Sequence, residues 1–87
     1  MAYQLEVKRS AAKEMRSLSK DIFRRVVAAI DKLAQDPLPA GCTKLVGYDA
    51  LYRIRVGDWR VVYEVNEVEE RIIVLAVKHR REIYRDL

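Results

Sequence analysis

The chain has 87 residues, 51% of them hydrophobic and 34% charged, which fits one small folded domain with a simple core rather than a disordered chain. Seventeen Lys and Arg against 13 Asp and Glu give a formal charge of +4 and a pI near 9.4, a balance that favours an anionic partner. The single cysteine, Cys42, rules out an internal disulfide, and one cysteine with one histidine argues against a Cys/His zinc site.

The N-terminus, Met1 to Glu6, lacks the long apolar stretch of a signal peptide. No run approaches membrane-spanning length, the longest apolar stretch being Ile72 to Val77. A soluble cytoplasmic protein with no membrane partner is expected.

Tyr3, Leu5 and Val7 alternate with Gln4, Glu6 and Lys8, which predicts a half-buried strand over about 2–8. Ser10 suits an N-cap for a first helix over about 10–18, with Ala11, Met15 and Leu18 at helical spacing. Leu18-Ser19-Lys20 reads as a tight connection. A stronger helix follows over about 20–35, where Ile22, Phe23, Val26, Val27, Ile30, Leu33 and Ala34 form one apolar stripe. The segment Asp36-Pro37-Leu38-Pro39-Ala40-Gly41 ends that helix and forms a loop, because proline cannot continue it.

From residue 45 the period changes to two. Strands are predicted over about 50–56, 59–65 and 71–78, joined by Gly57-Asp58 and by the acidic turn Asn66 to Glu70. Ile72 to Val77 is apolar on both faces, as a central strand requires. The order strand–helix–helix and then a three-stranded meander predicts a two-layer α+β fold: a mostly antiparallel sheet packed against a helical hairpin, with residues 1–87 forming a single domain.

The most informative stretch is Tyr52-Arg53-Ile54-Arg55-Val56-Gly57-Asp58-Trp59-Arg60-Val61-Val62-Tyr63. A two-residue Gly57-Asp58 loop sets Val56 against Trp59, Arg55 against Arg60, Ile54 against Val61, Arg53 against Val62 and Tyr52 against Tyr63. Strand alternation then puts Tyr52, Ile54, Val56, Trp59, Val61 and Tyr63 on one face, the natural partner of the helices. Arg53, Arg55 and Arg60 share the other face. Directly opposed like charges cost stability, and a guanidinium offers planar bidentate donors suited to phosphate. The competing reading is a set of solvated strand-face charges, splayed apart.

A second basic run, Lys78-His79-Arg80-Arg81-Glu82-Ile83-Tyr84-Arg85, follows the last strand. Taken alone it reads either as a substrate-holding segment or as a solvated tail docked by Ile83 and Tyr84.

Together, Leu51 to Val65 and Ile73 to Tyr84 resemble the RelE branch of the RelE/ParE toxin superfamily. The N-terminal half agrees: a short strand, a first helix bearing Ala11, a longer second helix, and Lys44-Leu45 as the entry to the meander. The resemblance implies the toxin of a type II toxin–antitoxin system, a ribosome-dependent endoribonuclease that cuts messenger RNA in the A site. In that chemistry the RNA 2′-hydroxyl attacks the adjacent phosphate in line, so no cofactor, metal or side-chain nucleophile is required. It also implies a cognate antitoxin protein, with the ribosome and mRNA as the other partners.

The resemblance carries the family's catalytic residues onto Arg53, Arg55, Arg60, Arg80 and Tyr84. Arg81 is the alternative to Arg80 across a short gap, and Lys78, His79 and Arg81 are expected to hold substrate. One departure matters. The family's usual pattern has lysines where this chain has Arg53 and Arg55. Arginine, with a pKa above about 12, can stabilise charge but not exchange a proton near neutrality. That points to Tyr84 for the proton, with His79 as the other titratable group nearby. Two other functions fit the same pattern: a ParE-like inhibitor of DNA gyrase that cuts nothing, and a noncatalytic RNA-binding module.

Overall fold

The computed structural model describes residues 2–82. Its elements are β1 (Gln4–Val7), α1 (Arg9–Arg16), α2 (Lys20–Leu33), β2 (Thr43–Lys44), β3 (Leu51–Val56), β4 (Trp59–Asn66) and β5 (Arg71–His79). The five strands form one sheet in the order β1-β5-β4-β3-β2. Only β1 runs parallel to its neighbour β5; the other pairs are antiparallel. The expected α+β architecture is therefore observed, with one strand more than expected. The extra strand, β2, has two residues, Thr43 against Arg53 and Lys44 against Tyr52, too short to show any periodicity.

The helical hairpin covers one face of the sheet, α1 against β5 and α2 against β3. Ala11 and Met15 of α1 are buried one turn apart, as are Val26, Ile30 and Leu33 of α2. They meet Ile54, Val56, Val61, Tyr63, Val65, Ile72, Val74 and Val77 from the strands. Ser19 caps α2, its hydroxyl accepting from the Ile22 N–H at 3.4 Å, and Asp21 places a carboxylate in the first turn where the helix dipole favours it.

The first helix departs from expectation at its start. It begins at Arg9 after Lys8, with no side-chain cap, so Ser10 lies inside the helix and is exposed. It also ends at Arg16, and Leu18 packs from the connection. Two residues expected to be inside are exposed. Val7 sits at the outgoing end of an edge strand, and Phe23 lines a shallow groove with Arg16, Leu18, Lys20 and Arg24.

A bulge sits between β4 and β5. Val62 pairs with Ala76 and Tyr63 with Val74, so Leu75 is the extra residue. The bulge lets Val74 and Val77, three apart, both face the core, where they are 0% and 1% exposed. Tyr63 is wholly buried, and its hydroxyl donates to the Pro37 carbonyl at 2.7 Å, which ties the loop after α2 to the central strand. Burial, reinforced by the neighbouring Cys42 thiol, pushes the Tyr63 phenol well above its ordinary value, so it remains a donor. Among the described residues no helix is long and apolar enough to cross a membrane.

Candidate active site

With the helices on one side, the opposite sheet face is left to the alternate strand residues, and its β3–β4 end is basic. The observed register is the expected one: Val56 pairs with Trp59, Arg55 with Arg60, Ile54 with Val61, Arg53 with Val62 and Tyr52 with Tyr63. Ile54, Val56, Val61 and Tyr63 are buried in the core, and Tyr52 and Trp59 pack against it. Arg53, Arg55 and Arg60 are on the other face, where with Gly41 and Thr43 they line a cavity of about 180 Å³.

The turn explains how two opposed arginines coexist. Gly57 has φ of 59° and Asp58 has negative φ, which fits a hairpin loop with glycine at its first central position. The Gly57 carbonyl accepts from Arg55 Nε at 3.3 Å and from Arg60 Nη1 at 3.1 Å. Arg60 Nη1 also donates to its neighbour's carbonyl, Trp59, at 3.0 Å. One partial negative charge is thus shared between two cations, and the half-buried Arg60 guanidinium is fixed to backbone at two points. A Cβ added at Gly57 would lie 3.3 Å from Arg25 Nη2 of α2, so a fourth guanidinium rests against the same turn.

The C-terminal candidates divide. Arg80 comes to the turn: its N–H donates to the Asp58 carbonyl at 2.8 Å, and its Nε lies 4.0 Å from Asp58 Oδ1. Residues 80–82 are helical, and Arg81 is exposed, its N–H donating to His79 Nδ1 at 3.3 Å. Lys78 lies directly across from Arg60 in the β4–β5 register and ion-pairs with Glu14 of α1. His79 does not join the arginines. It pairs with Trp59, edge to face at 5.3 Å, and Trp59 packs against the core on the helix side. Tyr84 lies outside the described residues.

Sequence reasoning missed Gly41, Thr43, Arg25, Asp58 and Glu14 as neighbours of the cluster. Gly41 could have been suspected from the end of its loop, and it has φ of 90°. Asp58 was visible as the second turn residue. Glu14 and Arg25 reach the sheet only through helix packing and carry no local signal.

Chemically, three guanidiniums around one cavity can hold a phosphodiester and stabilise the extra charge of a pentacoordinate phosphorus. None of them is a general base.

Comparison with known proteins gives the family and the fold. A family model described as the ParE toxin of type II toxin–antitoxin system, parDE, matches residues 5–84. Toxin RelG of Mycobacterium tuberculosis is 27% identical over 86 residues, covering 98% of this chain and 99% of its own length. The toxin–antitoxin complex of RelE and RelB from the archaeon Pyrococcus horikoshii OT3 contains a chain 35% identical, with a TM-score of 0.82, covering 92% of this chain and 97% of that one. The intact E. coli RelBE toxin–antitoxin complex contains a chain 26% identical, with a TM-score of 0.78, covering 90% of this chain and 96% of that one.

Proposed function

The chain belongs to the RelE family of the RelE/ParE toxins of type II toxin–antitoxin systems, and from that membership we propose that it is a ribosome-dependent endoribonuclease acting on mRNA in the A site. The observation that carries the proposal is the cavity lined by Arg53, Arg55 and Arg60 on the sheet face opposite the helices, with Arg80 at the adjoining turn.

In the proposed reaction the message supplies the nucleophile. The 2′-oxygen bonds to the adjacent phosphorus as the bond from phosphorus to the 5′-oxygen breaks, giving a 2′,3′-cyclic phosphate and a 5′-hydroxyl. Arg53, Arg55 and Arg60 hold the phosphate oxygens and offset the developing charge. Arg80, or Arg81 in its place, serves the same phosphate from the other side of the turn. Lys78 and Arg81 add backbone contacts on either side of the scissile bond, and His79 positions the segment that carries them. Tyr84 accepts or orients the 2′-hydroxyl proton, and the leaving oxygen takes a proton from solvent. The roles of Tyr84 and of the individual arginines rest on the family resemblance together with the inability of arginine to act as a base.

The same reading gives the chain an antitoxin partner, as in the RelE–RelB and RelBE complexes it resembles. The net charge of +4 suits an acidic segment of such a partner. The site of action is the cytoplasm, where the ribosome is, and residues 1–87 act as one toxin domain.

The description of the matching family model names ParE, which keeps the gyrase reading as the competitor. The arginine cavity favours the nuclease, since gyrase inhibition needs no phosphate-sized basic site. The deciding experiment adds the toxin to stalled ribosomes carrying a defined message and maps cuts by primer extension, with free RNA and a gyrase supercoiling assay alongside. Cuts confined to the ribosome-bound codon support the proposal. Intact message together with blocked supercoiling overturns it in favour of the competitor.

A further inference from the structure

β1 accompanies β5 only as far as the pair Val7–Val74, after which the Lys8 N–H donates to the Val74 carbonyl and the chain leaves the sheet to begin α1. Beyond that point, among the described residues, no strand lies beside the outer edge of β5. A bare edge N–H is costly where water is partly excluded. Glu14, one and a half turns into α1, takes the place of the missing strand. Its Oε1 accepts from the Val77 N–H at 2.9 Å, and its Oε2 ion-pairs with Lys78 Nζ. Both side chains are only 25% exposed, so the pair is screened far less than a surface bridge.

The position of this pair gives it a consequence for the site. Lys78 is the cross-strand partner of Arg60, and Arg60 is the partner of Arg55. Lys78, Arg60 and Arg55 therefore form a row of cations across three adjacent strands. The Gly57 carbonyl answers the charge at the Arg55–Arg60 end, and Glu14 answers it at the Lys78 end.

We propose that Glu14 is a positioning residue for the cleavage reaction: it fixes Lys78 beside Arg60 and moderates the charge of the row, without itself touching the RNA. This rests on the nuclease reading above. The geometry separates two effects. Removing the carboxylate leaves the row one unit more positive, which strengthens attraction to RNA. It also removes the ion pair that draws Lys78 to this position, and misplaced groups lose the benefit of positioning, on the order of 10–10²-fold in rate.

Glu14→Gln keeps an oxygen for the Val77 N–H and removes only the charge. It is compared with Lys78→Met and with the double variant. Single-turnover cleavage is read on ribosomes programmed with a defined message, and binding on ribosomes whose message carries a 2′-deoxy nucleotide at the cleavage position. The expected result for Glu14→Gln is cleavage slowed about 10-fold or more, with binding unchanged or tighter and thermal melting close to that of the parent. The double variant should be no slower than the slower single variant, because Glu14 acts through Lys78. A Glu14→Gln protein that cleaves at the parent rate overturns the proposal, as does a double variant whose losses multiply, or a loss of binding parallel to the loss of cleavage. If the parent protein cuts nothing, the nuclease reading falls. The binding arm then decides separately: tighter binding by Glu14→Gln that Lys78→Met abolishes supports the charge coupling, and independent effects reject it.

Discussion

Replacing Arg60 by alanine tests the site most directly, because the structure shows both what holds this side chain and what it has left to give. Nη1 is engaged by the Gly57 and Trp59 carbonyls at 3.1 and 3.0 Å. Nε and Nη2 have no partner among the described residues and are available as a fork for phosphate. Loss of one preorganised donor to a transition-state oxyanion costs about 10²–10³ in rate, or roughly 2.7–4 kcal/mol. Arg60→Ala should therefore slow single-turnover cleavage on programmed ribosomes by about 10²-fold or more. Binding should fall less, since one phosphate contact among several is removed and the salt slope should drop by about one unit. Folding should change little. The two lost hydrogen bonds are worth about 1–1.5 kcal/mol each in net terms at this half-buried position, and removing the charge opposed to Arg55 offsets part of that. Cleavage at the parent rate would remove Arg60 from the mechanism. A fall in affinity matching the fall in rate would mean that Arg60 holds substrate and transition state alike.

Arg53→Lys and Arg55→Lys should each retain more cleavage than the alanine variants at the same positions, because charge survives and a lysine can exchange a proton; equal losses in single-turnover assays would show that the planar guanidinium is what matters. Tyr84→Phe should slow cleavage about 10–10³-fold with little change in melting, the usual range for a lost acid–base group, and normal cleavage by it alongside loss in His79→Ala would move the proton to His79. Tyr63→Phe removes the donor to the Pro37 carbonyl and should cost about 1–2 kcal/mol in urea unfolding at neutral pH. The folded phenol titrates above its ordinary value of 10.0, so its contribution is complete below about pH 10 and is lost above it, by about 1.4 kcal/mol per pH unit; a stability difference between parent and variant that stays constant from pH 9 to 11 would refute the assignment.

The register of the β3–β4 hairpin was legible from the sequence because two independent constraints agree there. Gly57-Asp58 fixes the loop length, and a one-residue slip would have buried Arg53 and Arg55 and exposed Ile54 and Val56. The second helix was legible because Val26, Ile30 and Leu33 repeat at its period over fourteen residues. The first helix was less so. Eight residues with two buried positions leave its start undetermined, and a serine at Ser10 looked like a cap where the chain uses Lys8. The Leu75 bulge was hidden because an unbroken apolar run shows no change of period. At the site, the shared face of Arg53, Arg55 and Arg60 follows from alternation alone. The helix-side position of His79 follows from its pairing with Trp59. The link from Glu14 to Val77 spans 63 residues and arises only when α1 packs on the sheet, so no local pattern announces it.

Placing cations side by side on this sheet has a cost in stability. Two unit charges roughly 5 Å apart repel by about 0.8 kcal/mol in water and by about 3 kcal/mol at the effective dielectric of a protein surface. Arg55 pairs with Arg60 and Arg60 with Lys78, so two like-charged cross-strand pairs stand in a row on the sheet. The Gly57 carbonyl and the Glu14 carboxylate reduce that repulsion but leave a net positive face. In the proposed reaction an arriving phosphodiester offsets one unit of that positive charge, and a phosphorane carrying a second negative charge offsets another. In that proposed reaction, a cluster of like charges therefore gains more from the transition state than from the bound substrate without any side chain changing protonation. That division of labour suits arginine, which holds its charge at any accessible pH, and it confines the proton-transfer requirement to a single group, for which Tyr84 is the proposed candidate.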